Sequence, residues 1–259
     1  MAHNDDEYFI ASRILFEVRQ QNTVYCVFTT DSTVSGRGTE VRRRESIRAL
    51  TLLGVRRENI YFIGQTCGIS DGSSYRAIQI VYNKALETFR SLNIARLYVM
   101  AWEGGHVDHD TAHLVGAALS RTLGLEGQAF EFSAYNNFRM PWKLYRAFRF
   151  VRRNTEQYRR ALCRVEAFRC FLLFRCYPSQ WRSILGLLPD AFYRLVICRE
   201  EWIRAIDGID YQNKPYNGEL FFEKRFKVTY SKFSQCTKKF IDTYLKPRSE
   251  RDAAPLPLN

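Results

Sequence analysis

The segment RLYVMAWEGGHVDHDTAHLVGAALSRTLG, residues 96–124, decides which fold this sequence predicts. It begins with a short apolar run, Arg96–Ala101, which is typical of a buried strand. A helical pattern, Asp110–Leu123, follows and is ended by Gly124. The loop Trp102–Gly105 and a cluster of histidine and aspartate join the two. Polar side chains therefore stand at the carboxyl end of a predicted strand, which is where open parallel sheets bind their ligands.

The first half of the chain repeats this alternation of strand and helix. The predicted strands are Thr23–Thr30, Asn59–Gly64, Arg96–Ala101 and Ala129–Ser133. The predicted helices are Asp5–Arg19, Thr39–Leu53, Ser73–Leu92 and Asp110–Leu123. Alternation at these lengths implies βαβ units. The predicted fold class is therefore α/β, a Rossmann-like and mostly parallel sheet flanked by helices.

The second half predicts a smaller α+β portion. Its pattern favours a long helix over Asn154–Arg175, capped by Asn154 or Thr155, an extended stretch over Leu220–Tyr230 and a helix over Ser231–Leu245. We expect residues 1–135 to form the Rossmann-like core and residues 136–245 to be the C-terminal portion of the same domain. Residues 246–259 contain three prolines and several charges, so they are expected to be a flexible tail.

Composition narrows the class of protein. Hydrophobic residues make up 46% of the chain and aromatic residues 15%, which excludes general disorder. No apolar run reaches the roughly 18 residues needed to cross a bilayer. The seven cysteines are odd in number, lie mostly in apolar segments and form no Cys-x-x-Cys pair. They indicate reduced, buried thiols and a cytoplasmic protein.

The histidines are confined to two short clusters. His3 lies in His3-Asn4-Asp5-Asp6-Glu7, and His106 and His109 lie in His106-Val107-Asp108-His109, with His113 one turn further on. Imidazole and carboxylate together suit zinc or a similar divalent ion, so the pattern predicts one metal centre built from two distant segments. His113 is either a fourth ligand or, as the pattern favours, a histidine on the helix face.

Basic residues are concentrated in one stretch. The chain has 39 Lys and Arg against 27 Asp and Glu, a net charge of +12, and residues 139–182 alone carry +10. Within them Trp142, Tyr145, Phe148 and Val151 recur at helical spacing, with Lys143, Arg146, Arg149, Arg152 and Arg153 between them. Such a segment suits an anionic membrane surface or a phosphorylated substrate. An ordinary helix with its aromatic side in the core is the interpretation that we favour.

The two histidine clusters carry a specific family resemblance. Ala2-His3-Asn4-Asp5-Asp6-Glu7 resembles the Ala-His-Pro-Asp-Asp-Glu signature of the PIG-L/LmbE-like zinc-dependent N-acetylglucosaminyl deacetylases, and His106-Val107-Asp108-His109 is similar to their His-Pro-Asp-His signature. Supporting similarities are Arg42-x-x-Glu45 followed by Leu53-Gly54, then Asp71-Gly72, and finally Tyr177-Pro178-Ser179-Gln180. The resemblance extends from residue 2 to about residue 230.

The resemblance implies a role for each matching residue. His3, Asp6 and His109 would bind Zn²⁺ or another divalent ion, and Asp5 would be the base that activates water. His106 would stabilise the tetrahedral oxyanion and could protonate the leaving amine. Arg42 and Asp71 would contact the sugar, and Asp108 would hold a histidine in its working tautomer. The implied reaction is hydrolysis of an amide that releases acetate from an N-acetylated amino-sugar conjugate.

Two departures from the family pattern stand out. Asn4 and Val107 replace the usual proline of each signature, and neither change removes a ligand. The larger departure is that the first motif begins at residue 2, whereas the family places it after a central apolar strand. A central parallel strand is buried on both faces. We therefore expect either that Met1 is not the natural start or that this sequence is a fragment.

A second class of function stays open. The chain could be a catalytically impaired family member that acts as a basic protein binding anions or membranes. The charge, the absent strand and the altered prolines favour this alternative. The surviving ligand, base and oxyanion residues favour the enzyme. No nucleic-acid-binding motif is recognisable, so no nucleic acid is expected as a partner, and the sequence leaves the oligomeric state open.

Overall fold

The structure, a computed structural model, describes residues 1–33, 38–141, 144–151 and 155–246. The strands in these ranges are β1 Cys26–Phe28, β2 Ile60–Phe62, β3 Leu97–Met100, β4 Ala129–Phe132, β5 Tyr135–Asn136, β6 Arg146–Ala147, β7 Gln157–Ala161 and β8 Glu200–Ala205. The α-helices are α1 Ala11–Arg19, α2 Thr39–Leu52, α3 Ile63–Thr66, α4 Ile78–Arg90, α5 Val107–Thr122, α6 Arg164–Leu172, α7 Trp181–Ala191, α8 Phe221–Phe226 and α9 Tyr230–Tyr244. Within these ranges, no helix has both the length and the apolarity that a bilayer span requires.

The strands form a mixed arrangement of several sheets. β1 pairs in parallel with β2, and β3 pairs in parallel with β4. β8 then adds to β4 in the antiparallel direction and β7 adds to β8, also antiparallel, which gives the order β3-β4-β8-β7. β5 and β6 form a separate antiparallel pair. The four predicted strands of the first half are confirmed, because β1 to β4 each lie inside the predicted run.

A cavity lies between the two parallel pairs. Its volume is about 610 Å³, and residues of both β1 and β3 line it, together with side chains of α1 and α5. The start of the chain enters this space. The Met1 ammonium donates to the Val27 carbonyl at 2.9 Å. The Thr29 amide donates to the Met1 carbonyl and the Thr30 amide to the Ala2 carbonyl, both at 3.0 Å. Residues 1 and 2 therefore run beside β1 in the manner of a strand.

The Met1 ammonium is buried in that position, and burial lowers its pKa. Burying a charge without a close partner of opposite sign is costly. No strand among the described residues occupies the remainder of the space between β1 and β3. This is the place where the sequence led us to expect an absent central strand.

The apolar core has two parts. One contains side chains of α1, α2 and the C-terminal helices, among them Ile14, Leu50 and Cys170. The other contains side chains of α4, α5 and α9, among them Leu114 and Phe233. α4 is amphipathic and buries one of its sides, whereas α5 is buried almost all round because it packs against β3, α4 and α9.

Two predictions for the second half are wrong. The helix predicted over Asn154–Arg175 is β7 followed by α6, and the stretch predicted as extended over Leu220–Tyr230 contains α8. Residues 157–161 are extended because they pair along their whole length with β8. α8 is helical because the Glu223 carboxylate accepts a hydrogen bond from the Leu220 amide at 2.9 Å, which closes the first turn. The proposed cap Asn154 lies outside the described residues.

The basic segment is also not the helix that its spacing predicts. Residues 144–151 contain β6, which pairs with β5, and Phe148 has a positive φ of 56° that ends any regular extension. Val151 is buried. Pairing with β5 outweighs the helical spacing, so the amphipathic helix is wrong for this range. Trp142, Lys143, Arg152 and Arg153 lie outside the described residues, as does most of the predicted tail, residues 247–259.

Candidate functional site

The candidate site is assembled from two loops that each lead into a helix. The first is residues 3–5, followed by a short 3₁₀ helix, Asp6–Ile10. The second is the loop after β3, where His106 caps the N-terminus of α5 by accepting a hydrogen bond from the Asp108 amide at 3.1 Å. Both loops meet at the carboxyl end of β3, so the sequence correctly predicted that the two clusters converge.

Three side chains converge as a set that could hold a metal ion. His3 Nδ1 lies 3.3 Å from His109 Nε2, His109 Nε2 lies 3.1 Å from Asp6 Oδ1, and His3 Nδ1 lies 3.7 Å from Asp6 Oδ2. Ligand bonds of about 2.0–2.1 Å in a tetrahedron place neighbouring donors roughly 3.3 Å apart. All three side chains are buried. The donor set therefore fits a divalent ion that prefers nitrogen and oxygen ligands.

The other nitrogen of His3 faces a second group of carboxylates. His3 Nε2 lies 3.1 Å from Asp108 Oδ2 and 3.2 Å from Asp71 Oδ1. The His106 Nε2 atom lies 3.4 Å from the same Asp71 oxygen. A carboxylate on the far nitrogen of a ligand histidine fixes its tautomer and its ring orientation. The position of Asp108 agrees with the orienting role that the resemblance implies.

Asp108 is itself held in place by the loop that contains Asp71. Its carboxylate accepts hydrogen bonds from the Gly72 amide at 2.5 Å, from the Ser74 amide at 3.1 Å and from the Ser74 hydroxyl at 2.5 Å. The Asp71-Gly72 pair, which supports the family resemblance, thus contacts the histidine cluster directly. Asp71 lies within contact distance of both His3 and His106, and a quarter of its side chain is exposed.

Burial and charge set the protonation states of these histidines. Burial opposes a charge on His3, but the carboxylates of Asp71, Asp108 and Asp6 outweigh it and raise the pKa of His3 well above its usual value. His106 has the opposite shift, because burial, supported by the charge of His3, lowers its pKa to about 4. The two neighbouring imidazoles therefore differ strongly in their readiness to carry a proton.

Asp5 stands next to the ligand set in a strained conformation. Its φ is 136°, in a region that non-glycine residues rarely adopt, and such strain accumulates at functional sites. Burial raises the pKa of Asp5 to about 6, against the opposing effect of the Arg42 guanidinium. A carboxylate with a raised pKa is suited to exchange protons near neutral pH.

Arg42 contacts the loop that carries Asp5. Its guanidinium donates to the Asp5 carboxylate at 3.0 Å, to the Asn4 carbonyl at 3.0 Å and to the Ser32 carbonyl. The resemblance predicted a contact with the sugar. In the structure these donors hold the strained loop and the carboxylate of Asp5 in one orientation.

We expect Arg42→Ala to lower kcat of the amide hydrolysis that the resemblance implies at least tenfold, with a smaller change in KM, because it frees the Asp5 carboxylate rather than removing a substrate contact. Steady-state kinetics measure both constants. Arg44→Ala is the matched control, since Arg44 is exposed and donates only to the Glu40 carbonyl of its own helix. A large rise in KM with unchanged kcat would instead identify Arg42 as a substrate contact.

His113 does not join the ligand set. It is fully buried, with its Nδ1 2.7 Å from the Met100 carbonyl oxygen and its Nε2 3.0 Å from the Tyr211 hydroxyl. These partners fix α5 against the end of β3 and the C-terminal portion. His113 thus has the packing role on its helix that the sequence favoured.

Several residues around the site were not anticipated. Glu103 accepts hydrogen bonds from the Ala134 amide, the Ser133 hydroxyl and the Asn136 amide, at 2.7 to 3.0 Å, and so fixes the loop before His106. In the sequence, the one sign of this role is that Glu103 is the single charged residue of the loop Trp102–Gly105. Glu7 is buried beside Asp5, and burial raises its pKa to about 7.

Two aromatic rings flank the histidines. The Tyr135 ring lies 5.1 Å from that of His109, and the Phe226 ring lies 4.3 Å from that of His106. Phe226 is 40% exposed, so its ring lies between His106 and solvent-accessible surface. Neither residue had a sequence signal, because both come from elements whose position depends on tertiary packing.

The fold and the site together define a mixed α/β protein with a buried cluster of histidine and aspartate suited to a divalent ion. Residues 1–120 match the family model described as PIG-L, GlcNAc-PI de-N-acetylase. This part of the chain is therefore a PIG-L domain, and the resemblance seen in the sequence is confirmed. No curated protein sequence matches the chain significantly.

Solved structures of deacetylases have a similar fold. The zinc-inhibited form of teicoplanin deacetylase Orf2 superposes with a TM-score of 0.61 at 11% identity, covering 80% of this chain and 97% of that one. The A40926 pseudoaglycone deacetylase Dbv21 gives a TM-score of 0.57 at 11% identity, covering 78% and 93%. A deacetylase of teicoplanin biosynthesis gives 0.57 at 13% identity, covering 80% and 97%. At these identities the likeness establishes the fold.

Proposed function

We propose that this protein is a metal-dependent hydrolase that removes an N-acetyl group from an amino-sugar conjugate of the N-acetylglucosamine type. The observation that carries the proposal is the convergence of His3, Asp6 and His109, with donor atoms 3.1 to 3.7 Å apart, beside the strained carboxylate of Asp5. The PIG-L domain over residues 1–120 supports the same activity. The solved structures of similar fold are named as a deacetylase of the A40926 pseudoaglycone and a deacetylase of the teicoplanin biosynthesis pathway, which supports a deacetylation.

In this proposal His3, Asp6 and His109 hold the ion, with Zn²⁺ as the first choice because two of the three donors are imidazoles. When bound, the ion supplies a Lewis acid for the amide carbonyl and lowers the pKa of water. Asp5 would take a proton from the water whose oxygen bonds to the amide carbon. As the C–N bond breaks, that proton would pass to the amine nitrogen, so that acetate and a free amine are released.

The remaining residues orient the reaction. His106 faces the site from the start of α5 and would stabilise the oxyanion, while Asp108 fixes His3 by its contact with Nε2. Asp71 has an exposed edge next to His106 and is the candidate for a hydrogen bond to the sugar. Arg42 would keep Asp5 in its productive orientation.

The test combines metal analysis with acetate release. We expect purified protein to bind about one zinc per chain, and to release acetate from an N-acetylglucosamine conjugate at a rate that falls to background with a chelator. Readdition of zinc should restore the rate. Elemental analysis and an acetate assay on the same sample give both results. Bound zinc without acetate release from any conjugate in a panel would favour the alternative, an impaired family member that binds anions.

We also propose that the cavity between β1 and β3 is the seat of a short apolar strand, which would complete a Rossmann-like sheet. The pairing of Met1 and Ala2 with β1 supports this, and so does the parallel direction of both neighbouring strand pairs. The core over residues 1–135 and the C-terminal portion over 136–245 would then share one continuous sheet. We propose a cytoplasmic location, with which seven free thiols are compatible. The prediction that these thiols are buried is wrong for Cys163 and Cys236, which are exposed.

A further inference from the structure

The C-terminal portion carries a helical layer that lies away from the candidate site. α7 continues directly into a π-helix, Phe192–Cys198, and α6 packs against this continuous helix. The rings of Phe171 and Phe192 lie 5.6 Å apart and join the two. We call the outward-facing apolar side chains of this layer the helical patch: Val165, Phe168, Trp181, Leu185, Phe192 and Ile197.

The patch members on α7 and the π-helix share one face. Trp181 and Leu185 are 58% and 59% exposed, and Phe192 is exposed as well. Spacings of 4 and 11 residues place these three side chains within about 40° of one another around the helix. Ile184 and Ala191 lie about 60–120° further round the same helix and are buried. The helix therefore has one broad apolar surface, of which one flank is buried and the other is exposed.

α6 extends the same surface. Val165 is 74% exposed and Phe168 is also exposed, and their spacing of three residues places them on one face. Single exposed apolar residues are ordinary on a protein surface, but a contiguous group on two packed helices marks an interaction site. No described residue covers these side chains.

The charges around the patch are positive. Arg164, Arg169, Arg175, Arg182 and Arg199 lie on or beside the same helices, and the guanidinium of Arg182 lies over the Trp181 ring at 5.3 Å. The carboxylates of these helices point inward. Glu166 is buried and paired with Arg160, and Asp190 accepts a hydrogen bond from the Ala147 amide at 2.7 Å. A partner of this surface must therefore be apolar and anionic at once.

We infer that the helical patch is the surface by which this protein binds an anionic lipid bilayer. Aromatic and aliphatic side chains enter the boundary between headgroups and acyl chains, while arginines bind the lipid phosphates. The patch is distinct from the basic segment at residues 142–153. Binding to the bilayer requires no hydrolysis, so the inference does not depend on the proposed activity.

The patch also has a defined relation to the candidate site. Ser179, two residues before Trp181, donates from its amide to the Glu45 carboxylate at 2.9 Å. Glu45 lies on α2, the helix that carries Arg42, and the two are three residues apart. This hydrogen bond links the start of α7 to the helix that carries Arg42.

Vesicle co-sedimentation of the full chain tests the inference. We expect the protein to bind vesicles of phosphatidylcholine and phosphatidylserine, mixed 3:1, at least tenfold more tightly than vesicles of phosphatidylcholine alone. The double variant Trp181→Ser with Leu185→Ser should weaken binding to the mixed vesicles tenfold or more. Since both side chains are exposed, the fold should be retained, and circular dichroism checks this. Arg164→Gln with Arg182→Gln should reduce the preference for anionic vesicles.

The matched control is Ile80→Ser, which removes a side chain that is 55% exposed on α4, outside the patch. It should leave vesicle binding unchanged. Equal binding to both kinds of vesicle, no binding to either, or full binding by the double variant would each overturn the inference. So would a dimer in light scattering that the double variant converts to monomer, because the patch would then be a contact between copies of the chain.

Discussion

Asp5→Asn should lower kcat of the proposed deacetylation by about 10³-fold while the bound metal stays in place. The amide keeps the size of the carboxylate but cannot take a proton from water. Asp5 also lies outside the ligand set formed by His3, Asp6 and His109. Acetate release and elemental analysis on the same preparation measure the two quantities separately.

The neighbouring Asp6→Asn is the matched comparison, because it makes the same chemical change one residue away. Asp6 Oδ1 lies 3.1 Å from His109 Nε2 within the candidate ligand set. We therefore expect Asp6→Asn to lose both metal and activity, whereas Asp5→Asn should lose activity alone. Full activity of Asp5→Asn would refute the assignment of the base. Loss of metal in both variants would show that Asp5 is itself a ligand.

The second large effect concerns stability. An extension of five apolar residues, Val-Val-Ile-Leu-Val, placed directly before Met1 should raise the melting temperature by roughly 10 °C. Five residues at about 3.3 Å each cover the four-residue length of β3, so such a strand can pair along the cavity between β1 and β3. Burying two or three of its side chains contributes about 4 kcal/mol, and each kcal/mol moves the midpoint of a domain of this size by about 2–4 °C.

Differential scanning calorimetry measures this shift, and a Gly-Ser extension of equal length is the control. Both extensions replace the buried Met1 ammonium with a peptide amide, so both relieve its desolvation. Only the apolar one can fill the cavity. An equal rise in melting temperature with both extensions would show that removing the buried Met1 charge accounts for the whole effect. The cavity would then not be a strand site.

The sequence predicted the first half of the fold well because its elements carry their own signals. β1 to β4 are short apolar runs, and α2 and α5 have helical periodicity that ends near Gly54 and Gly124. The second half lacked such signals. β7 has the sequence QYRRA, with mostly exposed side chains, and it is a strand only because β8 pairs with it. Tertiary pairing of this kind cannot be deduced from local propensity.

The candidate site also has features that the sequence predicted and features that it did not. The two aspartate-rich clusters predicted that His3, His106 and His109 come together, and the structure brings them into contact. The fourth histidine, His113, packs elsewhere. Two features of the site were not predictable: the positive φ of Asp5, and the hydrogen bonds that Arg42 donates to the Asn4 and Ser32 carbonyls. Both depend on how α2 is placed against the first loop. The contacts of Glu103 depend in the same way on β5.

The bond from Ser179 to Glu45 and the pairing of β8 with β4 have a consequence for anyone who cuts this chain. The family match ends at residue 120, but residues 1–120 also depend on contacts with the rest of the chain. A piece cut at residue 120 would lack β4, so it would present the edge of β3 to solvent, and Glu45 would lose its hydrogen bonds from Ser179. Such a piece should aggregate rather than fold, because an open strand edge recruits other chains. Shuffling experiments that exchange PIG-L segments between relatives must therefore move both halves together.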